Sequence, residues 1–186
     1  MSAAIIYQTN IQGHAPVKSI FSQTFTSSGN AWSDYTLVAA ISSSILTPPF
    51  YTPRWIRATL QGGAAESYVI SKMAVGNKAP AGEAWDADSS LTQLFYGGAA
   101  GGTAPLGGTI TTDWVRMAWN RSQDLIFKFY TPAASADSPA RLLSLAGAKV
   151  YYKAGDDVLT YDGTGYTDNN PGNNELMVVQ SIEVSD

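Results

Sequence analysis

The sequence predicts an all-β fold: an antiparallel β-sandwich, jelly-roll-like, of about eight to nine strands. Three observations predict it. Apolar residues recur at every second position in short runs, as in Ile56-Ala58-Leu60 and Leu125-Phe127-Phe129. Side chains alternate across a strand, so this period builds one oily face and one mixed face. The runs are separated by clusters of Gly, Pro, Asn, Asp and Ser, the residues of turns. No segment carries the helical repeat of a long amphipathic helix.

In chain order, residues 1–16 read as an N-terminal arm or edge strand, Ala4–Thr9, before a Gly-His-Ala-Pro break. Residues 17–186 then form a single sandwich domain, a size that needs no division. Residues 17–26 set Val17, Phe21 and Phe25 against Lys18, Ser22 and Thr24, with Ile20 off phase. Trp32–Ile41 follows, with Tyr35, Leu37, Ala39 and Ile41 in phase. Residues 42–53 hold Pro48, Pro49 and Pro53, and proline cannot donate to a sheet ladder, so this is an irregular excursion. Arg54–Leu60 alternates cleanly, with Trp55, Arg57 and Thr59 opposite the apolar side. Tyr68–Val75 is the next strand, with Val69, Met73 and Val75 inward.

The Gly- and Ala-rich stretch 79–108 reads as long exposed loops around one apolar island, Leu91–Tyr96. Residues 110–119 and 125–131 are two strands joined by the polar segment Asn120–Asp124, a hairpin at the centre of the core. Trp119 is in phase with that core and Trp114 is out of phase. A loop at 133–140 and a helical turn or bend at Arg141–Ala146 precede a strand at Lys149–Lys153. Gly155–Asn174 is a polar loop, and Leu176–Val184 closes the chain with Val178, Ile182 and Val184 inward.

Composition narrows the function classes. Charged residues are 14% of the chain, against about 25% in ordinary soluble domains, so the surface must be covered by Ser, Thr, Gly, Asn and Ala. That composition suits an extracellular module or a protein packed against neighbours in a large assembly. The net charge of −4, with Lys and Arg scattered singly, argues against nucleic acid. The absence of cysteine removes disulfides, thiolate catalysis and Cys-based zinc sites. No apolar run is long enough for a membrane helix, and MSAAIIYQTNIQG has no basic start, so it reads as an arm rather than a secretion signal.

Candidate chemistry is sparse. The single histidine, His14, has no Gly-x-Ser-x-Gly elbow to partner it, so a solvated loop residue is expected rather than a triad member. Glu83, Asp86 and Asp88 flank Trp85, a pattern open to a carboxylate glycosidase or to a polar loop with one anchored aromatic. Asp156, Asp157, Asp162 and Asp168, with the neighbouring asparagines 169, 170, 173 and 174, offer oxygens of the kind calcium takes, but not at EF-hand spacing. No other cofactor is called for, and no reaction is specified. Trp32, Trp85, Tyr161 and Tyr166 fall in loops, where aromatics stack on sugars or anchor protein interfaces.

The order of motifs from Trp55 to Tyr130 resembles a β-sandwich module of tailed-phage and prophage structural proteins, found also beside Gly-Asp-Ser esterase or lipase domains. The residues that carry it are Ile56, Arg57, Leu60, Val75, Gly76, Trp85, Phe95, Gly97, Gly98, Gly108, Thr112, Asp113, Asp124 and Leu125, continued by Tyr151–Gly155 and Ile182–Val184. The resemblance implies a non-enzymatic virion component on the particle exterior, as a head decoration or fibre, tail or baseplate protein. It implies contact with other virion proteins and with copies of itself, a trimer among the options. It carries no catalytic residue over. The alternative is a carbohydrate-binding module that reads a host-surface glycan through the four loop aromatics.

Overall fold

A computed structural model describes residues 16–25, 27–28, 32–64, 66–132 and 139–186; the Ala4–Thr9 arm and His14 lie outside these. The described residues are all-β. Their strands are β1 (Lys18–Ser22), β2 (Ser27–Ser28), β3 (Tyr35–Ile41), β4 (Trp55–Gln61), β5 (Tyr68–Ile70), β6 (Lys72–Asn77), β7 (Thr92–Leu94), β8 (Gly102–Ala104), β9 (Thr109–Thr111), β10 (Val115–Arg116), β11 (Leu125–Thr131), β12 (Ala140–Leu143), β13 (Ala148–Ala154), β14 (Thr167–Asp168), β15 (Glu175–Met177) and β16 (Val179–Ser185).

Eight of these make the frame. β1 pairs with β16, β3 with β11, β4 with β10 and β6 with β7, all antiparallel. In chain order they match first with last, second with seventh, third with sixth and fourth with fifth, the rungs of one long hairpin. Folding that hairpin over sends alternate rungs to opposite sheets. The result is β1-β16-β4-β10 on one side and β3-β11-β6-β7 on the other, a jelly roll. β9 adds to β4 in the first sheet, and β13 with β14 extends the second beyond β3. Each strand expected from residue 17 onward contains a frame strand or β13; the other seven strands are only two to four residues long.

The core lies between the sheets. Ile56, Ala58, Leu60, Ile182 and Val184 from the first meet Leu37, Ala39, Ile41, Met73, Val75, Phe127 and Phe129 from the second, in one buried cluster. The off-phase Ile20 has a local cause: the register of β1 shifts between Ser19 and Phe21, and this bulge turns both Ile20 and Phe21 inward.

Four expectations are corrected. Residues 110–119 and 125–131 are not a hairpin. The first segment splits into β9 and β10, both on β4, whereas β11 lies in the other sheet between β3 and β6. Asn120–Asp124 therefore carries the chain from one sheet to the other. The alternation is the same either way, because both oily faces point at one core. Asn77 ties the crossing down, its amide donating to the Ala118 carbonyl (3.1 Å) and its carbonyl accepting from the Asn120 N–H (3.0 Å).

Tyr68–Val75 is broken at Ser71, with β5 pairing to β8 and β6 to β11. The one-residue break reverses the phase, so Tyr68 and Ile70 face inward and Val69 is half-buried. Of the helical turn or bend expected at Arg141–Ala146 the second half is a bend, at Ser144, whereas the first half belongs to β12, which pairs with β15 and β2. Leu176–Val184 is interrupted at Val178, whose φ of 66° is rare for a β-branched residue. There the chain leaves the small sheet β15-β12-β2 and enters the five-stranded one, held by Val178 N–H to Ala140 O and Gln61 N–H to Val178 O, each 2.9 Å.

The small sheet contains a buried ion pair, Arg141 Nε to Glu175 Oε1, with the Glu175 side chain 1% exposed; Asn169 Nδ2 donates to the other oxygen at 2.9 Å. Removing one partner strands a buried charge, whereas replacing both with apolar groups does not. Arg141→Met should therefore lower unfolding stability by about 3 kcal/mol, and the double variant Arg141→Met with Glu175→Leu should regain most of it. Urea denaturation of the three proteins reads the outcome directly.

Candidate functional site

The two sheets differ in what covers their outer faces. On the six-stranded sheet, β11 and β3 alternate, so Ile126, Lys128 and Val38 point away from the main core. An apolar outer face must be covered, and two loops cover it. Val38, Ile126, Tyr151, Ala87 and Tyr166 form a second buried cluster, with Ala84, Trp85 and Leu91 packed at its margin. The loop at 155–166 is fastened by Thr36 Oγ1 to Gly155 O (2.7 Å), Asp157 N–H to Thr36 Oγ1 (2.8 Å) and Ala87 N–H to Tyr161 O (2.8 Å).

Lys128 lies under this cover, 0% exposed. Its ammonium donates to the Thr160 carbonyl at 2.5 Å and sits 5.3 Å from the centre of the Tyr166 ring. Burial pulls its pKa below the ordinary lysine value; the carboxylates of Asp157, Asp86 and Asp162 oppose that and Lys153 reinforces it, with burial the largest effect. Asp157 has the reverse balance. Burial pushes it up, yet hydrogen bonds from Thr160 and Lys153, the nearby Tyr166 hydroxyl and the Lys153 charge leave it below the usual carboxylate range. The Tyr166 hydroxyl is close enough to feel Asp157 but does not reach full hydrogen-bond geometry, and burial is the main cause of its raised pKa.

The four loop aromatics do not share a surface. Trp32 is 8% exposed and belongs to the main core, stacked edge-on to Tyr35 (5.2 Å) and tilted on Tyr152 (4.9 Å). Trp85 is half-buried on the opposite side of the six-stranded sheet, between Tyr151 (5.2 Å) and Tyr166 (5.7 Å), with its indole N–H donated to Gly163 O. Tyr166 is buried there, and Tyr161 alone of the four is exposed, at 54%. The expectation of four loop aromatics open to a sugar is corrected: Trp32 lies in the main core, Trp85 and Tyr166 pack beneath the covering loops, and Tyr161 is the one of the four that is exposed.

The acids are dispersed likewise. Asp156 contacts Lys72, Asp157 pairs with Lys153 (3.0 Å) and Asp168 with Lys149 (3.1 Å), while Asp162 is exposed apart from them. Among the described residues no three such groups gather as metal ligands, so the calcium candidates do not form one set. Of the acids near Trp85, Asp86 accepts from the Glu83 N–H (2.7 Å) and Asp88 from the Ser90 N–H (2.8 Å), so both brace turns. Asp113 does similar work, its carboxylate accepting from Gly97 and Gly98, which adopt the left-handed backbone that glycine allows.

The five-stranded sheet presents a more polar outer face. Its outer face carries Trp55, Arg57, Thr59 and Gln61 from β4, Ser181 and Glu183 from β16, Thr109 and Thr111 from β9, and Arg116 from β10. Arg57 is 2.7 Å from Glu183 and its guanidinium lies 4.6 Å above the centre of the Trp114 ring. Thr59 and Thr111 hydroxyls are 3.0 Å apart, and Gln180 donates to Gln61 at 2.8 Å. The sequence signal for this face was present, since Trp55 and Trp114 are the tryptophans out of phase with the core. No family model matches the chain, and no curated protein matches it.

Lys128 sets a pH dependence. The folded state holds its proton less tightly than the unfolded chain, so the unfolded chain binds more protons as pH climbs through the folded-state pKa toward 10.5. Stability owed to this group therefore rises with pH across that window. Urea midpoints taken from about pH 8 to 10 should climb less in Lys128→Met than in the parent protein; parallel curves would mean that the ammonium is not held against its preference.

Proposed function

We propose that this chain is a non-enzymatic structural component on the exterior of a tailed-phage particle, assembling with copies of itself and with other virion proteins. The observation that carries the reading is the loop between β3 and β4. Phe50 is 106% exposed at its tip, flanked by Pro49 and Tyr51. The loop is held rigid: Tyr51 donates to Pro16 O (2.7 Å), Arg121 to Pro49 O (2.8 Å), and Arg54 N–H to Ser185 O (2.9 Å). A large apolar ring presented on a pre-ordered loop is how a protein anchors a neighbour at low entropic cost. The charge-poor composition supports the same reading, as does the use of Asp86, Asp88, Asp156, Asp157 and Asp168 in turns and ion pairs. The motif resemblance to tailed-phage structural modules supplies the kind of particle.

Light scattering on the purified chain tests it. The expected mass is a small multiple of the 19.8 kDa protomer, a trimer among the options, and Phe50→Asp should shift it to the protomer with an unchanged circular dichroism spectrum. A parent protein that stays monomeric and does not associate with phage particles would sink the proposal.

A further inference from the structure

We infer that a cleft on the outer face of the six-stranded sheet, where β3 ends and β13 begins, binds one pyranose ring of a glycan between Lys78 and Asp124. The cleft follows from the strand register. On that face Ala40 stands between Ile126 of β11 and Lys149 of β13, and its methyl group leaves a hollow between two longer side chains. The covering loop at 79–91 lines the hollow with Ala84, another small side chain. The result is an open cleft of about 200 Å³, with Ala40 and Tyr151 on its sheet side and Lys78, Asp124 and Asn174 around it. Pockets for drug-sized ligands run from about 300 to 1,000 Å³, so this one takes a single small unit. At about 30 Å³ per water it holds on the order of six or seven waters, the space of one sugar ring.

Charge selects the ligand. Elsewhere opposite charges close on one another, Arg57 on Glu183 at 2.7 Å and Lys149 on Asp168 at 3.1 Å. Lys78 and Asp124 share the cleft, both half-buried, yet neither has an ion-pair partner among the described residues. The Lys78 ammonium donates to the Ala79 carbonyl at 3.3 Å, and one Asp124 oxygen accepts from the Ser43 N–H at 2.8 Å. That leaves ammonium hydrogens and the second carboxylate oxygen to a ligand. An anion would be drawn to Lys78 and repelled by Asp124, and a cation the reverse. A hydroxyl both donates and accepts, so neighbouring hydroxyls on one ring answer both charges and bring none of their own. The half-buried Asn174 amide adds a donor and an acceptor. The Tyr151 ring is already packed edge-on against Trp85 at 5.2 Å, so it is floor and not a stacking platform. The polar walls are set before a ligand arrives: Lys78 N–H donates to Asp124 O and Ser144 N–H to Asn174 O, each at 2.8 Å.

Saturation-transfer difference NMR on the full chain tests the inference, with the methyl glycosides of glucose, mannose, galactose and N-acetylglucosamine as probes. At least one should give a signal, with a dissociation constant on the order of 1 mM for so small a ligand. Asp124→Asn keeps an acceptor for the Ser43 N–H and removes the charge, so it should weaken binding by about tenfold, and Lys78→Met should do the same. Ala40→Leu fills the cleft without altering its polar groups and should abolish the signal. Circular dichroism checks that the variants fold, and the conservative Asp124→Asn keeps the test decisive where Ala40→Leu does not fold. Phe50→Asp and Arg116→Ala, outside the cleft, should bind as the parent does, so failure of the assembly reading and failure of this one are separable. Absence of a signal from all four glycosides overturns the inference, as does undiminished binding in any folded one of the three cleft variants. So does a stronger signal from glycine than from every glycoside, which would make the cleft a site for a zwitterion.

Discussion

The fold depends on keeping the six-stranded sheet dry on both faces. β11 sits at its centre between β3 and β6, and every residue from Leu125 to Phe129 on it is buried. Leu125, Phe127 and Phe129 are covered by the opposite sheet; Ile126 and Lys128 have only the loops to cover them. The loops at 79–91 and 155–166 are therefore part of the sandwich, a third layer over a two-layer frame. Their hydrogen bonds to Thr36, Lys128 and one another are what an apolar strand face requires of the chain around it.

This demand explains where the polar residues went. Lys128 carries a charge into the second core, which is costly unless paired, and it has one carbonyl, one aromatic ring and a set of carboxylates beyond direct contact. Lys153 and Lys72 fasten the covering loop at its edge through Asp157 and Asp156. Three of the four residues that look like a calcium set in the sequence, Asp156, Asp157 and Asp168, are instead shared out one to a lysine, an arrangement that ties the chain down at several points.

Much of the frame was legible. Ile56-Ala58-Leu60, Leu37-Ala39-Ile41 and Ile182-Val184 are inward as their spacing requires, because an uninterrupted strand has no other way to bury them. What escaped were single-residue events. A bulge at Ser19/Phe21 and a break at Ser71 shift the phase, a positive φ at Val178 divides a strand between two sheets, and none leaves a trace in composition. Pairing escaped for another reason: adjacent strands with a polar connection look like a hairpin, yet Asn120–Asp124 crosses between sheets, and only long-range pairing distinguishes the two. The site was legible in part. Trp55 and Trp114 were readable as outward from their phase, whereas Trp32, Trp85 and Tyr166 stand in loops, where no period says whether a ring covers or is covered.

The asymmetry between the sheets has a consequence for where such a molecule can interact. The outer face of the six-stranded sheet serves stability, since opening it would expose Val38, Ile126 and Tyr151. The outward positions of the five-stranded sheet are mostly Ser, Thr and Gln, with Arg116, the Arg57–Glu183 pair and two half-buried indoles. The Phe50 loop leaves the six-stranded sheet at β3 and enters the five-stranded one at β4, so its exposed ring stands at a connection between the two layers.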